Sequence, residues 1–219
     1  MKKIITLLFA VAMLLSLFAC GSESEKKSGN TKEAEDGVIQ NDMSEIKISE
    51  EEEGIIQTVM SAIKNGDGED APGKIFDITT PNVEFNNTEN DLKEFFKTKL
   101  NTYYGNCRDK CGKDFDLDYK ILSITETTAD EIDSINKVYE KTNSDIENKR
   151  GYYVDLEFVD GALEKEYKAI SGKKQFILTV TVKGNDDIEY VADSEVLIEK
   201  IGSQWYLRIF FLRELTRDN

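Results

Sequence analysis

The residues with the most specific chemistry in this sequence are its three cysteines, because the chain contains no histidine. Without an imidazole, the sequence excludes a serine–histidine or cysteine–histidine catalytic pair and every metal site that depends on histidine. Cys107 and Cys111 stand close enough in sequence to share a zinc ion, but two thiolates make only half of a structural zinc site. The sequence therefore predicts no metal and no cofactor, and spacing alone identifies no catalytic residue.

Three groups of acidic residues could bind cations, and each has a simpler explanation. Glu50–Glu53 open a predicted helix, where the positive end of the helix dipole favours carboxylates. The stretch Asn65–Asp70 looks like the start of a calcium loop, but it lacks the glycine and the glutamate that an EF-hand needs at its sixth and twelfth positions. Asp114, Asp116 and Asp118 alternate with apolar residues, which indicates the solvated face of a strand.

The first 19 residues predict a signal peptide. Two lysines are followed by an almost uninterrupted apolar run from Ile4 to Ala19, which is short for a membrane-spanning helix. The run ends in Leu17-Phe18-Ala19-Cys20, which resembles the lipobox of bacterial lipoprotein signal peptides. The resemblance implies cleavage before Cys20, a lipid such as palmitate on that residue, and attachment to the extracytoplasmic face of the cell membrane. The alternatives are an ordinary secretory signal that happens to end in cysteine, or an uncleaved anchor.

With Cys20 assigned to the lipid, Cys107 and Cys111 remain as a pair in an oxidising compartment. The sequence favours a local disulfide between them, with two free thiols as the second alternative and a metal site as the least favoured. A disulfide that closes so small a loop would add little stability, because the loop has little conformational entropy to lose.

Composition divides the remainder of the chain into a stalk and one domain. Residues 20–44 are rich in Ser, Glu, Lys, Asn and Gly and carry too few apolar side chains to fold. Residues 45–219 show the hydrophobic patterning of a single domain. The net charge of −15 argues against nucleic acid as a partner and against adsorption to anionic lipid, so the predicted membrane contact is the lipid alone.

Hydrophobic periodicity in that domain predicts helices first and an antiparallel sheet last. Helices are predicted over 49–65, 72–78, 88–104 and 128–141, with Gly105 as the end of the third. Alternating patterns predict strands over 114–125, 152–159, 173–183, 188–201 and 204–212, with Trp205 packed in the core. This order predicts an α+β fold in which N-terminal helices cover one face of a curved antiparallel sheet.

Three stretches of the domain resemble the NTF2-like, or cystatin-like, domain of small lipoproteins from Gram-positive bacteria. They are the first helix ending in Asn65-Gly66, the helical segment DLKEFFKTKL at 91–100, and the closing hairpin VLIEKIGSQWY at 196–206. The resemblance implies a cone-shaped sheet around a concave, partly apolar pocket, and it implies a place in the cell envelope of a Gram-positive bacterium.

The wider fold hosts both binding modules and enzymes, so more than one function stays open. The lack of histidine, of a nucleophile–base pair and of a phosphate-binding loop favours a non-catalytic module that binds an unknown protein or small ligand. The alternative is a cone-fold isomerase or cyclase with a carboxylate base, for which the resemblance offers Tyr103, Tyr104 and Asp155. A transporter-associated binding lipoprotein is less favoured, because the chain is short and lacks the alternating strand–helix pattern of two-lobed receptors.

Overall fold

Helices precede most of the sheet in this chain, and their bounds follow the sequence signals at their N-terminal ends. The structure is a computed structural model that describes residues 47–66, 68–83, 87–153, 157–162, 166–184 and 188–217. Within these residues the helices are α1 (Glu50–Lys64), α2 (Ala71–Ile78), α3 (Glu89–Cys111) and α4 (Ala129–Glu147), with 3-10 turns at Pro81–Val83 and Gly151–Tyr153. No helix in this part of the chain is long and apolar enough to cross a bilayer. The predictions for the signal peptide, Cys20 and the stalk lie outside the described residues.

Capping boxes begin α1, α3 and α4. At α1 the Ser49 hydroxyl accepts a hydrogen bond from the Glu52 backbone N–H, and the Glu52 carboxylate accepts one from the Ser49 N–H at 2.9 Å. Thr88 and Thr128 cap α3 and α4 in the same reciprocal way. Each box satisfies N–H groups that the first turn of a helix leaves without partners, which is why these helix starts could be predicted.

The strands form one open antiparallel sheet, which confirms the predicted α+β class. The strands are β1 (Asp116–Glu126), β2 (Gly172–Lys183), β3 (Glu189–Ile201), β4 (Gln204–Leu212) and the short β5 (Thr216–Arg217). Their order is β1-β2-β3-β4, and β5 pairs with β3 beyond the end of β4. Four of the five predicted strands are confirmed with small changes at their ends.

The main core lies between α1–α3 and one face of the sheet. It contains fully buried side chains from both layers, such as Ile56, Leu100, Phe176 and Phe210. Burying each such side chain contributes roughly 1.5–3 kcal/mol. The end of α3 lies so close to the sheet that a Cβ on Gly184 would come within 2.2 Å of the Cys111 carbonyl oxygen, so only glycine fits there.

Helix α3 is longer than predicted, because Gly105 does not end it. The helix continues to Cys111 and stops at Gly112, whose φ of +85° is in the region that favours glycine. A glycine inside a helix costs about 1 kcal/mol relative to alanine, and here the two further turns bury Cys107 and Cys111. Both cysteines are free thiols on one buried helix face, rather than a disulfide-bonded pair in a loop. The structure therefore has two free thiols, the second of the alternatives that the sequence left open, in place of the favoured disulfide.

Burial makes Cys107 unreactive. Desolvation and the neighbouring Cys111 raise the pKa of the Cys107 thiol to about 12. At pH 8 this lowers the thiolate fraction by roughly a thousandfold relative to an ordinary cysteine, and we expect iodoacetamide to label Cys107 only after unfolding in urea. Peptide mass spectrometry checks the result. Labelling of the native protein, or recovery of a Cys107–Cys111 disulfide peptide, would contradict it.

The predicted strand over 152–159 is wrong wherever the structure describes it. Gly151–Tyr153 form a 3-10 turn, closed by a hydrogen bond of 3.0 Å from the Tyr153 N–H to the Arg150 carbonyl, and residues 157–159 are not in a strand. The strand beside β1 is β2. Helix α4 also runs beyond its predicted end at Lys141 to Glu147.

Helix α4 packs against the sheet separately from the other helices. Its buried residues, Tyr139 and Ile146, do not belong to the main core. Tyr139 lies close enough to Glu199 on β3 for that charge to act on it. Glu199 lies directly opposite Lys173 in the β2–β3 register. Lys174 points to the sheet face that contacts α1, and neighbouring strand residues point to opposite faces, so Lys173 and Glu199 point to the other face. The connection between β1 and β2 therefore covers the other face of the sheet at one end.

Candidate ligand-binding site at the end of the sheet

A groove of about 580 Å³ opens where β2 begins and where β3 turns into β4. We call it the Trp205 groove. Strand residues supply its cationic and aromatic lining, and the first turns of α4 supply an opposite wall. The lining includes the side chains of Asp133, Asn136, Lys173, Lys174, Lys200 and Trp205. All of them lie in or beside strands and helices, which fix their positions.

Trp205 is held at the rim of the core with its ring against the sheet. A Cβ on Gly172 would lie 3.1 Å from the ring atom Cη2, so the absence of a side chain lets the ring pack against β2. The ammonium groups of Lys174 and Lys200 lie 5.3 and 5.6 Å from the ring centre, within cation–π range. The Trp205 backbone N–H donates to the Glu51 carboxylate at 2.9 Å. The predicted core role of Trp205 holds in part, because the half-buried ring also lines the groove.

Lys174 is neutralised by two carboxylates of the protein itself. Its Nζ lies 2.7 Å from both Glu52 and Glu126. Burial alone would raise the pKa of Glu52, but hydrogen bonds from Lys174 and Ser49 hold it below its ordinary value. Lys174 therefore joins α1 to β1 and β2, and it has little charge to offer a ligand. Lys200, in contrast, makes no ion pair with any residue that the structure describes.

Three asparagine side chains fix the extended segment 167–170 beside the groove. Asn136 donates to the Ile170 carbonyl and accepts from its N–H, both at 2.8 Å. Asn143 makes the same pair of bonds with Tyr167, both at 2.7 Å, and Asn82 makes them with Lys168 at 3.0 and 2.8 Å. A carboxamide can replace a neighbouring strand in this way because it carries one acceptor and two donors. Side chains of α4 and of the turn after α2 thus hold this segment in place.

Replacing Asn143 by alanine is expected to lower the free energy of unfolding by about 1–3 kcal/mol, because the backbone groups of Tyr167 lose both partners in a half-buried place. Urea denaturation measures the change. Asn101→Ala is the matched control, since Asn101 is exposed inside α3 and gains the same helix propensity. Equal stability of the two variants would show that water replaces the asparagine.

A buried polar cluster lies on the far face of the sheet, beneath the groove. We define the Glu199 cluster as Thr80, Asn82, Tyr139, Tyr167, Lys173, Glu199 and Arg208. Glu199 is only 1% exposed, and its Oε1 accepts from the Thr80 hydroxyl and from Asn82 Nδ2, the latter at 2.9 Å. Its Oε2 lies 3.9 Å from Arg208 Nε, a long ion pair. Lys173 is directly opposite Glu199 on β2 and also lines the groove, so it joins the two sites.

The tyrosines of the Glu199 cluster keep their protons at neutral pH. Burial, with the nearby Glu199 charge, raises the pKa of Tyr139 to about 12, and burial raises that of Tyr167. Their rings are stacked with centres 4.8 Å apart and planes 9° apart. Burial lowers the pKa of Lys173, and the positive charge of Arg208 lowers it further. The cluster therefore contains neutral hydroxyls and two neighbouring cations beside one buried carboxylate.

Of the three residues suggested for catalysis, the structure describes Tyr103 and Tyr104. Tyr103 and Tyr104 lie on α3 at the main core, with ring centres 5.9 Å from Phe210 and 5.6 Å from Phe115 respectively. Asp155 lies outside the described residues. In the described part of the chain, no three Cys, Asp or Glu residues are grouped so as to hold a metal ion. Of the acidic strand face, Asp116 is exposed and pairs with Lys64 at 2.8 Å.

The sequence signalled Trp205 but not the groups around it. Lys173, Lys200 and Arg208 are ordinary charged residues in strands. Tyr139 is predicted only as an inward-facing residue of the helix over 128–141, and Tyr167 belongs to a segment without a motif. Ile198 and Glu199 are neighbours on β3 and both are buried. They point to opposite faces of the sheet: Ile198 lies in the main core, and Glu199 lies on the face where Tyr139 of α4 is close to it.

Comparison with known proteins adds no relative: no family model, no curated protein and no solved structure matches the chain.

Proposed function

We propose that this protein is a lipid-anchored, extracytoplasmic module of a bacterial cell envelope that binds a small ligand or a partner protein and catalyses no reaction. The observation that supports binding is the Trp205 groove, where one aromatic ring, one unpaired lysine and a fixed carboxamide line an open space. Ligand sites commonly combine an aromatic surface with a few well-placed polar groups. The anchor rests on Cys20 and on the signal peptide predicted before it.

For the fold we propose the NTF2-like cone of small Gram-positive lipoproteins. The proposal is supported by helices that precede the antiparallel strands β2–β4 and by a closing β3–β4 hairpin with Trp205 near the start of its second strand. Helix α4, between β1 and β2, is an addition to that plan. The net charge of −15 supports an envelope partner other than nucleic acid.

The alternative function, an isomerase or cyclase with a carboxylate base, has one observation in its favour. Glu199 is a desolvated carboxylate in a cluster with two tyrosines, a combination that enzymes use for proton transfer. A base must reach its substrate, however, and Glu199 Oε1 is occupied by Thr80 and Asn82 while Oε2 faces Arg208. These contacts favour a structural role for Glu199.

The anchor is tested by replacing Cys20 with serine in the producing bacterium. We expect the wild-type protein to sediment with membranes and to carry acyl groups on Cys20, and the variant to lose both properties. A Cys107→Ser variant is the control, because that cysteine is buried in the domain. Sedimentation of the Cys20→Ser protein with membranes would contradict lipid anchoring.

The groove is tested by intrinsic fluorescence, because Trp205 is the only tryptophan of the chain. Small carboxylates, neutral sugars and short peptides are titrated into the full-length protein, and we expect one class to change the emission saturably. Lys200→Ala should weaken that response, whereas Lys97→Ala, an exposed lysine on α3, should not. No response to any probe would contradict a ligand site at the groove.

A further inference from the structure

Aromatic rings surround the end of the Lys99 side chain, between α3 and the end of β4. Phe95 and Tyr103 are four positions before and after Lys99, so the three side chains share one face of the helix. Phe210 and Phe211 come from β4. The Lys99 ammonium nitrogen lies between 4.5 and 6.0 Å from the centres of these four rings. We call these five residues the Lys99 cage.

Lys99 is placed differently from an ordinary lysine on a helix surface, which extends its ammonium group into water. Lys97, two positions earlier, is exposed and pairs with Glu94. Lys99 is half-buried, and no carboxylate among the described residues pairs with it. Apolar surroundings favour the neutral amine, and burial lowers the pKa of Lys99 to about 8. A desolvated lysine of this kind is a nucleophile toward carbonyl groups.

The Lys99 cage reaches the protein surface. Phe95 is 48% exposed, and Tyr103 and Phe211 are half-buried. A ligand that approaches the amine from solvent therefore meets aromatic surface beside it. An apolar body can stack on such rings, whereas a charged one loses its hydration there without gaining a partner.

We propose that Lys99 is a covalent attachment site for an apolar aldehyde, which it binds as an imine with the apolar part of the ligand against Phe95 and Phe211. The lone pair of Lys99 Nζ attacks the carbonyl carbon, and the nitrogen gives up a proton to the oxygen, which becomes a hydroxyl. That hydroxyl then leaves with the second amine hydrogen as water, and a C=N bond forms. Water is the only other product, and nothing is oxidised or reduced.

The rings favour the imine as well as the free amine. Hydrolysis of an imine needs water at the C=N bond, so rings that exclude water from Nζ prolong its life. A protonated imine is a cation, and it would lie over the same ring faces that attract the ammonium group. The Lys99 cage is at the end of β4 and shares no residue with the Trp205 groove at its beginning, so it is a second site beyond the proposed function.

The test is reductive trapping on the wild-type, full-length protein. Benzaldehyde and, separately, glyoxylate are added with sodium cyanoborohydride at pH 7, and peptide mass spectrometry measures the labelling of Lys99 relative to Lys97. At this pH the neutral fraction of Lys99 is roughly 300-fold that of an ordinary lysine. A less basic amine attacks more slowly, so we expect benzaldehyde to label Lys99 at least about tenfold more than Lys97. The ratio should be at least about threefold lower with glyoxylate, which is charged and has no apolar part.

A Phe95→Ala variant tests the ring contact, and it should lower the benzaldehyde ratio about threefold toward the glyoxylate value. Equal labelling of Lys99 and Lys97 by benzaldehyde, or none of Lys99, would overturn the attachment site. Equal ratios for the two aldehydes would overturn the apolar class of the ligand, and an unchanged ratio in Phe95→Ala would overturn the role of that ring. The wild-type protein carries the main comparison, so it does not depend on the folding of a variant. Nor does it depend on the Trp205 fluorescence response, which tests the groove separately.

Discussion

Replacing Glu199 by alanine is expected to lower the free energy of unfolding by about 3–5 kcal/mol, one of the two largest effects that we expect in this protein. The carboxylate is 1% exposed and holds together three parts of the chain that are far apart in sequence. Its removal leaves the Thr80 hydroxyl and one Asn82 donor without their acceptor. It also takes from Arg208 the buried carboxylate that lies 3.9 Å from its Nε.

Urea denaturation of Glu199→Ala and of Glu195→Ala measures this effect with a matched control. Glu195 lies on the same strand and pairs with Arg213 at the surface, where such a pair contributes at most about 1 kcal/mol. Adding Arg208→Met to Glu199→Ala should restore part of the lost stability, because it removes the cation that has lost its buried carboxylate. A loss below about 1 kcal/mol in Glu199→Ala would mean that the carboxylate is hydrated in solution.

Local sequence signals were sufficient for most of the secondary structure. The capping boxes at Ser49 and Thr128 and the alternating patterns of β1–β4 depend on residues at most a few positions apart, and the structure confirms them. Helix ends were less predictable. Gly105 is a typical stop signal, but the burial of Cys107 and Cys111 outweighs its cost and moves the end of α3 to Gly112.

Only the contacts of the candidate site that join residues close together in the sequence could be predicted. Trp205 and Lys200 are brought together by the β3–β4 hairpin, a short-range feature that the Gly202-Ser203 turn signals. Glu199 meets Thr80 and Asn82 across 119 and 117 positions, and no pattern within one element reports such a contact. The three asparagines beside residues 167–170 were equally hidden, because their partners are backbone groups that any sequence would carry.

Lys99 is the second residue with a large expected effect, and its environment is unusual for a lysine. Its ammonium group lies over four aromatic rings, with centres 4.5 Å (Phe211), 4.8 Å (Phe210), 5.8 Å (Phe95) and 6.0 Å (Tyr103) away. No carboxylate pairs with it among the residues that the structure describes. Burial lowers the pKa of Lys99 to about 8, because the charged form has lost most of its water.

The lowered pKa makes Lys99 destabilising at neutral pH. The folded protein holds this proton less tightly than the unfolded chain, whose pKa is near 10.5, so the unfolded state binds more protons between about pH 8 and 10.5. The cost is fully present below pH 8 and disappears as the pH rises through that window. At 1.36 kcal/mol per pKa unit the cost is about 3 kcal/mol. The attraction of the aromatic rings for a cation, about 0.5–2 kcal/mol, is lost together with the charge.

Lys99→Met should therefore raise the free energy of unfolding by about 1–3 kcal/mol at pH 7, since methionine fills similar space without a charge. Above about pH 10.5 the advantage should vanish, because Lys99 is then neutral in the folded and the unfolded protein. Lys97→Met is the control on the same helix; Lys97 is exposed and weakly paired with Glu94 at 3.8 Å, so its removal should change stability little at any pH. Denaturation curves of both variants at pH 7 and above pH 10.5 give the comparison. A variant less stable than wild type at pH 7 would show instead that the four rings stabilise the charged lysine by more than its lost hydration costs.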